Sequence, residues 1–272
     1  MGNMIDTHCH LTFSQLNEDL PEVLRKAREA GVAGMITIAT TSEGSLENLA
    51  IARSHENIWC SAGVHPLYAD EKIDWDQIRD VGEDELCVAW GELGLDGFHP
   101  KPAMDLQRDV LRAQLRKLEE WTREGIEKPV VIHCRDAYDL LLPELEAAAL
   151  PRDRYVFHCF TGTPREAERV LEFGAMISFT GVVTYRNAAE VAEAAKLVPE
   201  DRIMVETDAP YLSPEPLRGT YPNEPANVMH TARFLASLRG RPEDDFERAL
   251  DENACRFFGI TLKKSRPIGD SN

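Results

Sequence analysis

The sequence predicts an α/β fold, a (β/α)8 or TIM-type barrel, and two observations indicate it. Short apolar runs typical of strands alternate with longer stretches whose apolar residues recur at helical spacing. Eight such units fit into the length of about 250 residues that is usual for this barrel. An open, doubly wound sheet is the alternative, and it is disfavoured because no glycine-rich dinucleotide fingerprint follows the first strand.

The elements are assigned in chain order from apolar runs and from helical periodicity. The predicted strands cover 4–8, 34–39, 58–64, 86–91, 129–133, 154–158, 174–179 and 202–206. The predicted helices cover 20–30, 46–54, 104–124, 138–149, 166–173, 188–197, 226–238 and 243–257. We expect a single domain over residues 1–272, with the barrel spanning about 4–259 and a polar C-terminal tail over 261–272.

Composition restricts the classes of function. The net charge of −17 argues against a general nucleic-acid coat, because binding the phosphate backbone needs clustered lysine and arginine. A small phosphate-bearing substrate held by metal ions is still compatible with that charge. The sequence has no apolar run long enough to cross a bilayer, no secretory signal and no Cys-x-x-Cys pair among its six cysteines. We therefore expect a cytoplasmic protein with reduced thiols, no membrane contact and no obligate protein partner.

Residues that bind metals or protons stand at the ends of six of the predicted strands. His8 and His10 are two residues apart, so both side chains leave the same face of a strand. The other strand-end residues are His65, Glu92, His133, His158 and Asp208. Active sites of such barrels lie at the carboxyl ends of the strands, so we expect these side chains to surround one mouth of the barrel.

Four histidines and two carboxylates in this set suit a mixed nitrogen and oxygen metal site. They are His8, His10, His133, His158, Glu92 and Asp208. The set is large enough for two divalent ions such as Mg²⁺, Mn²⁺, Zn²⁺ or Co²⁺, and Glu92 can bridge them because it has two oxygens. The neighbouring Cys9, Cys134 and Cys159 are predicted to point towards the helix layer by strand alternation. Six converging candidates favour ligands over isolated structural histidines.

Three further residues each have two interpretations. His65 contacts substrate or caps a loop. Arg135 clamps a phosphate with its planar guanidinium, or it pairs with Asp136 or Glu92. Glu206 supports a metal ligand through a hydrogen bond, or it faces the barrel core. We expect structural roles for His55 and His230, which lie in helical stretches, and the sequence leaves His99 undecided.

Several motifs then reveal a family resemblance that covers nearly the whole chain. Ile5-Asp6-Thr7-His8-Cys9-His10, Gly63-Val64-His65-Pro66, Gly91-Glu92-Leu93-Gly94-Leu95-Asp96 and Val131-Ile132-His133-Cys134-Arg135-Asp136-Ala137 are the first four. Phe157-His158-Cys159-Phe160-Thr161-Gly162, Glu206-Thr207-Asp208-Ala209-Pro210-Tyr211-Leu212 and Asn223-Glu224-Pro225 follow. In this order the motifs resemble the TatD family of metal-dependent deoxyribonucleases, within the amidohydrolase superfamily.

The resemblance implies a barrel that holds a divalent, usually two-metal, hydrolytic centre. The six proposed ligands match the metal positions of the family. Asp208 would be a ligand and general base for a metal-activated water, and Glu92 would hold two ions at bridging distance. The family's activity implies trimming of DNA or RNA ends. A short or single-stranded end fits best, since it enters the mouth without unpairing.

The chain departs from the family pattern at two loops near the expected mouth. Gly97-Phe98-His99 stands where paired aromatics are usual, and the nearest basic residue ahead of Asn223 is Arg218. These differences concern the substrate and not the metal centre. A second hydrolase class stays open, one that acts on carboxylic esters, amides or lactones and includes aminoacyl-tRNA deacylases. A non-catalytic, metal-bound interaction protein is less favoured, because no candidate ligand is missing.

Overall fold

The computed structural model describes residues 4–263, and these form one eight-stranded sheet in which every strand is parallel to its neighbours. The strands are β1 (Met4–Cys9), β2 (Val32–Thr37), β3 (Ile58–Ala62), β4 (Cys87–Asp96), β5 (Val130–Arg135), β6 (Tyr155–Phe157), β7 (Met176–Phe179) and β8 (Ile203–Val205). Their order in space is their order in sequence. The predicted (β/α)8 barrel is therefore confirmed.

The helices alternate with the strands and cover the outside of the sheet. They are α1 (Ser14–Asn17), α2 (Leu20–Ala30), α3 (Ser42–Ser54), α4 (Trp75–Glu83), α5 (Met104–Arg123), α6 (Tyr138–Ala147), α7 (Pro164–Phe173), α8 (Ala189–Leu197), α9 (Val228–Leu238) and α10 (Glu243–Phe258). Sequence periodicity missed α1 and α4. Over residues 4–263, no helix is long and apolar enough to cross a membrane. Of the predicted polar tail, residues 264–272 lie outside the described residues.

The barrel closes where β1 meets β8. Cys9 and Ala209 form a parallel bridge there, and the amide of His10 donates to the carbonyl of Ala209 at 2.8 Å. One residue earlier, the amide of Asp208 donates to the carbonyl of His8 at 2.9 Å. The closing seam thus lies beside three of the proposed metal ligands.

Two apolar layers pack against the two faces of the sheet. The outer layer packs the helices against the strands, and it includes the fully buried Trp90 and Phe157. The inner layer fills the amino-terminal half of the barrel with inward side chains, Ile5, Ile36, Val88, Val131, Val156, Met176 and Met204 among them. The end of α10, with Phe257 and Phe258, and the following Ile260 close this layer at the amino-terminal end of the barrel. The core therefore leaves only the carboxyl end of the barrel open for polar groups.

Helix α10 also satisfies backbone groups at the closed end. The carboxylate of Asp251 accepts from the amide of Ile5 at 3.0 Å, and the amide of Asn253 donates to the carbonyl of Ile203 at 2.8 Å. These bonds join α10 to the first residues of β1 and β8. Because buried backbone groups need partners, they fix the helix across the seam.

Strand β4 extends five residues beyond its predicted end at residue 91 and reaches Asp96. Glu92 therefore lies within β4 and does not follow it, and β5 likewise continues past His133 to Arg135. The backbones of β4 and β5 approach closely at Gly94, where an added Cβ would lie 1.9 Å from the carbonyl oxygen of His133. Glycine permits this approach, which brings Glu92 beside the histidine of the next strand.

Candidate metal centre

The carboxylate of Glu92 lies at the centre of the polar cluster. Its Oε2 is 3.3 Å from His8 Nε2, and its Oε1 is 2.6 Å from His158 Nε2 and 3.0 Å from His133 Nδ1. Burial raises the pKa of Glu92, but the surrounding histidines outweigh burial and hold the pKa well below its usual range. Glu92 is thus an anion with imidazole nitrogens on both sides.

The first and last strands supply the remaining ligand candidates. Asp208 Oδ1 is 3.3 Å from His10 Nε2 and 3.6 Å from His8 Nε2. The spacing of the two histidines places both at the centre, as the sequence predicted, although strand alternation breaks just before them. The register of β1 shifts between Asp6 and Cys9, and Thr7 also faces inward, where its hydroxyl lies 3.5 Å from Ser178 Oγ.

Three of the histidines are anchored through the nitrogen that faces away from the cluster. His10 Nδ1 donates to the carbonyl of Ile38 at 3.1 Å, since a carbonyl can only accept. In the same way His133 Nε2 lies 3.0 Å from Asp96 Oδ2, and His158 Nδ1 lies 3.2 Å from Glu206 Oε1. Such contacts fix the tautomer, so that the opposite nitrogen can act as a ligand.

The inner ring nitrogens lie so close to carboxylate oxygens that a proton or a metal ion is needed between them. His158 Nε2 and His133 Nδ1 lie 2.6 and 3.0 Å from Glu92 Oε1, and His10 Nε2 lies 3.3 Å from Asp208 Oδ1. Burial lowers the pKa of these three histidines, but the carboxylates outweigh burial and raise it. Neither ring nitrogen of the fully buried His8 has a hydrogen-bond partner among residues 4–263. Ligand atoms of His8, His10 and Glu92 lie within 4.8 Å of one another, as do those of His8, His158 and Asp208. A mixed nitrogen and oxygen set of this kind fits divalent metal ions.

The family comparison agrees with this site. The model for TatD-related DNases matches residues 5–259. This chain belongs to the TatD-related DNase family. Among its TatD relatives, the metal-dependent hydrolase YcfH of Escherichia coli K12 is 34% identical and covers 97% of this chain and 99% of its own length. The 3'-5' ssDNA/RNA exonuclease TatD of Erwinia amylovora is 36% identical, covering 94% of this chain and all of its own.

A solved structure gives the same result for the fold. The crystal structure of YJJV, a TatD homologue from Escherichia coli K12, superposes with a TM-score of 0.87 at 31% identity. It covers 95% of this chain and 98% of its own length. The protein is therefore a metal-dependent hydrolase of the TatD family, as the sequence predicted, with a candidate metal-binding group of histidines and carboxylates.

His65 lies inside this TatD-family site and caps a loop, which is one of the two roles predicted for it. Its Nδ1 accepts from the amide of Leu67 at 3.1 Å, so the ring caps the turn that follows it. Burial lowers the pKa of His65 to about 3, which keeps the ring neutral with its proton on Nε2. That nitrogen lies 3.4 Å from Glu92 Oε1, so His65 serves the loop and also faces the cluster.

Arg135 lies at the mouth and pairs with neither carboxylate considered for it. Its guanidinium carbon is 3.7 Å from the centre of the Phe98 ring, and within residues 4–263 it forms no ion pair with Asp136 or Glu92. The charged group is exposed and remains available to an anion. His99 is placed by Asp96, whose Oδ1 lies 3.1 Å from His99 Nδ1.

One of the three cysteines departs from the prediction that they face the helices. Cys9 and Cys134 pack in the outer apolar layer as expected. Cys159 instead lines the cavity, with its Sγ 3.5 Å from Thr180 Oγ1. The reason is the backbone, since Cys159 has a φ of 44° and lies just beyond β6, where alternation no longer applies.

The mouth is a cavity of about 950 Å³ that reaches from the metal ligands to the surface. Its lining includes Asp96, which the sequence showed only as part of a motif, and the aromatic residues Phe13 and Tyr211. The contact of Asp96 with β5 could have been predicted only if β4 had been extended to residue 96. Tyr211 also belonged to one of the sequence motifs, without a role assigned to it. No sequence pattern indicated Phe13, which lies on a loop.

Proposed function

We propose that this protein is a nuclease that removes nucleotides from single-stranded ends of DNA or RNA with the help of two divalent ions. The observation that carries the proposal is the position of Glu92 between two groups of imidazole nitrogens. The activity itself is that of the TatD exonuclease of Erwinia amylovora, which is 36% identical to this chain. The open cavity of about 950 Å³ supports an unpaired strand as the substrate.

The two ions would share Glu92. His8, His10 and Asp208 would hold one ion, and His133 and His158 would hold the other. Glu92 belongs to a compact group of ligand atoms with His8 and His10 and to a second group with His133. When bound, Mg²⁺, Mn²⁺, Zn²⁺ or Co²⁺ would lower the pKa of a water molecule and neutralise charge on the phosphate.

The side chains of the protein divide the remaining work. Asp208 lines the cavity with 14% of its side chain exposed, so it can take the proton of the attacking water at its carboxylate. Arg135 presents its guanidinium at the mouth, where it would bind phosphate oxygens in two-pronged fashion. Glu206 would keep His158 oriented through the bond to Nδ1, and His65 would orient Glu92 or the substrate.

We also propose that the protein works in the cytoplasm. All six cysteines, each within the described residues, are free, and Cys9, Cys60, Cys87 and Cys134 are buried. Buried free thiols are typical of a reducing compartment.

The test is a substrate panel with protein of defined metal content. Removal of metal by chelation, verified by elemental analysis, should abolish hydrolysis. Adding back Mg²⁺, Mn²⁺, Zn²⁺ or Co²⁺ should restore hydrolysis, with up to two ions bound per chain. A labelled single strand should be cut faster than a blunt duplex, and a closed circular duplex should be cut slowest, because the mouth admits only an unpaired end.

Three results would contradict the proposal. Full activity of metal-free protein would remove the metal centre from the mechanism. Faster cutting of the closed circle than of the single strand would exclude end trimming. Hydrolysis of carboxylic esters, amides or aminoacyl-tRNA, with nucleic acids left intact, would assign the protein to another class of the amidohydrolase superfamily.

A further inference from the structure

A row of aromatic rings leads from the metal centre to the surface along one wall of the mouth. The ring of Phe13 is stacked on His10, with centroids 4.6 Å apart and an interplanar angle of 13°. Tyr211 follows at 6.2 Å from Phe13, and Tyr221 follows at 6.5 Å from Tyr211. We call Phe13, Tyr211 and Tyr221 the aromatic row. It begins at a proposed metal ligand and continues outward.

The outer rings of the row are exposed on a loop that is held firmly. Tyr211 is 44% exposed and Tyr221 is 58% exposed, and contiguous exposed apolar surface of this kind marks binding sites. The loop is tied to the centre because the amide of Tyr211 donates to the carbonyl of Asp208 at 2.9 Å. The buried Asn223 donates to the carbonyl of Tyr211 at 2.6 Å. The rings are thus positioned in advance.

We propose that the aromatic row stacks the bases of the strand that leads away from the phosphate being cut. This inference rests on the proposed nuclease function. Aromatic rings stack with any base, so they bind a single strand without sequence preference. The net charge of −17 supports stacking as the main attraction along this wall, because a chain so acidic repels the phosphate backbone.

The opposite wall of the mouth has a different character. Phe98 is 57% exposed there, but its ring is stacked with the guanidinium of Arg135 at 3.7 Å. That wall offers a positive charge for a phosphate, whereas the row offers bare rings. The asymmetry places the phosphate near Arg135 and lets the remaining nucleotides leave over Tyr211 and Tyr221.

The experiment compares a short single-stranded oligonucleotide with a dinucleotide of the same terminal sequence, both with metal-loaded protein. In Tyr211→Leu and Tyr221→Leu, the ring is replaced by a side chain that does not stack. Each variant should lower the preference for the oligonucleotide over the dinucleotide about tenfold, mainly through KM, since one stacked base contributes about 1–3 kcal/mol. Tyr221→Phe should restore the preference. Leu197→Ala, at an exposed apolar position on α8, is the matched control and should leave it unchanged.

Abasic positions in the oligonucleotide identify which base each ring contacts. In the wild type, loss of one inner base should raise KM about tenfold, and in Tyr221→Leu the same loss should add nothing further. In one outcome, the wild type cuts the oligonucleotide while the Leu variants show the same preference over the dinucleotide and the same response to abasic positions. That result would overturn the stacking role of the aromatic row and leave the nuclease function intact. If the wild type cuts neither substrate, both proposals fall.

Discussion

The two ends of the barrel treat their polar groups in opposite ways. At the closed end, α10 supplies partners for two backbone groups, since Asp251 accepts from the amide of Ile5 and Asn253 donates to the carbonyl of Ile203, and Phe257 and Phe258 fill the space between. At the open end, the nitrogens of His8 and His10 lie 3.3 Å from the carboxylates of Glu92 and Asp208, where a proton or a metal ion can lie between them. The closed end is mainly apolar, whereas the open end is a cluster of titratable groups that fits cations.

The difference separates stability from chemistry along the barrel axis. Buried apolar area and satisfied hydrogen bonds stabilise the closed end. Burying the histidines and carboxylates of the open end costs desolvation free energy, which bound cations would offset. Substitutions near α10 should therefore change the free energy of unfolding, and substitutions at the mouth should change turnover or metal affinity. Four variants test this division, beginning with the largest expected effect.

Asp208→Asn should lower turnover by about 10²- to 10⁴-fold, because the amide cannot accept the proton that the carboxylate would take. The midpoint of thermal unfolding should change little, since Asp208 lies at the cavity and not in the apolar core. Steady-state kinetics and thermal unfolding of the same preparation measure both quantities. His55→Ala, at the end of α3, is the control and should keep wild-type turnover. Equal losses in the two variants would show that the site is misassigned.

Phe258→Ala should reverse the pattern. The side chain is 5% exposed within the inner apolar layer, and its truncation should lower the free energy of unfolding by about 3–5 kcal/mol. The turnover number of the folded protein should stay near wild type, because the ring lies at the end opposite to the cavity. Denaturant titrations measure the first quantity, and Phe258→Leu should lose less. A fall in turnover at unchanged stability would contradict the division between the two ends.

Asp96→Asn should weaken metal binding about 10- to 100-fold, an effect typical of residues that orient a metal-binding histidine. The carboxylate of Asp96 can only accept, which places the proton of His133 on Nε2 and frees Nδ1. An amide can also donate, so the tautomer is no longer fixed. Metal titration by calorimetry measures the affinity, and saturating metal should restore most of the turnover. Unchanged affinity would exclude a positioning role for Asp96.

Asp251→Asn should give the smallest effect, and the effect should depend on pH. Burial raises the pKa of Asp251 from 3.8 to about 8, so the folded protein retains a proton that the unfolded chain has lost. The stability that this proton supplies is fully present below about pH 4 and is lost as the pH rises through about 8. Asparagine accepts from Ile5 without ionising.

The variant should therefore gain stability over the wild type as the pH rises, reaching about 1–2 kcal/mol at pH 8 after allowance for the exposed part of the side chain. Urea titrations of metal-free protein at several pH values measure the gap. Glu252→Gln, at an exposed position on the same helix, should show no such trend. A gap that stays constant with pH would rule out ionisation of Asp251 as the cause.

The barrel and the convergence of the candidate ligands could both be predicted from the sequence, because both depend on local spacing. His8 and His10 share a face at a separation of two, and a strand end is visible as an apolar run that stops at a polar residue. The register shift between Asp6 and Cys9 was invisible, since it depends on how β1 pairs with β2. His8 lies within the shifted interval and His10 beyond it, yet both still face the carboxylates of Glu92 and Asp208.

Features that depend on contacts between distant segments were missed. The role of Asp96 depends on β4 extending alongside β5, and the apolar pattern alone ended that strand at residue 91. The aromatic row joins a loop after β1 to a loop after β8, and these loops become neighbours only when the barrel closes. The position of Cys159 depends on a left-handed backbone conformation that no local pattern predicts.

The seam between β1 and β8 has a consequence for how the protein is made. Asp6 accepts hydrogen bonds from the amide and hydroxyl of Thr207, 201 residues later in the chain, at 2.9 and 2.5 Å. His8 and Asp208 lie beside that joint, so a nascent chain still lacking β8 has no complete centre. Pairings of such long range form late in folding. We therefore expect the chain to stay inactive during synthesis until β8 docks, and metal binding should begin only when the barrel has closed.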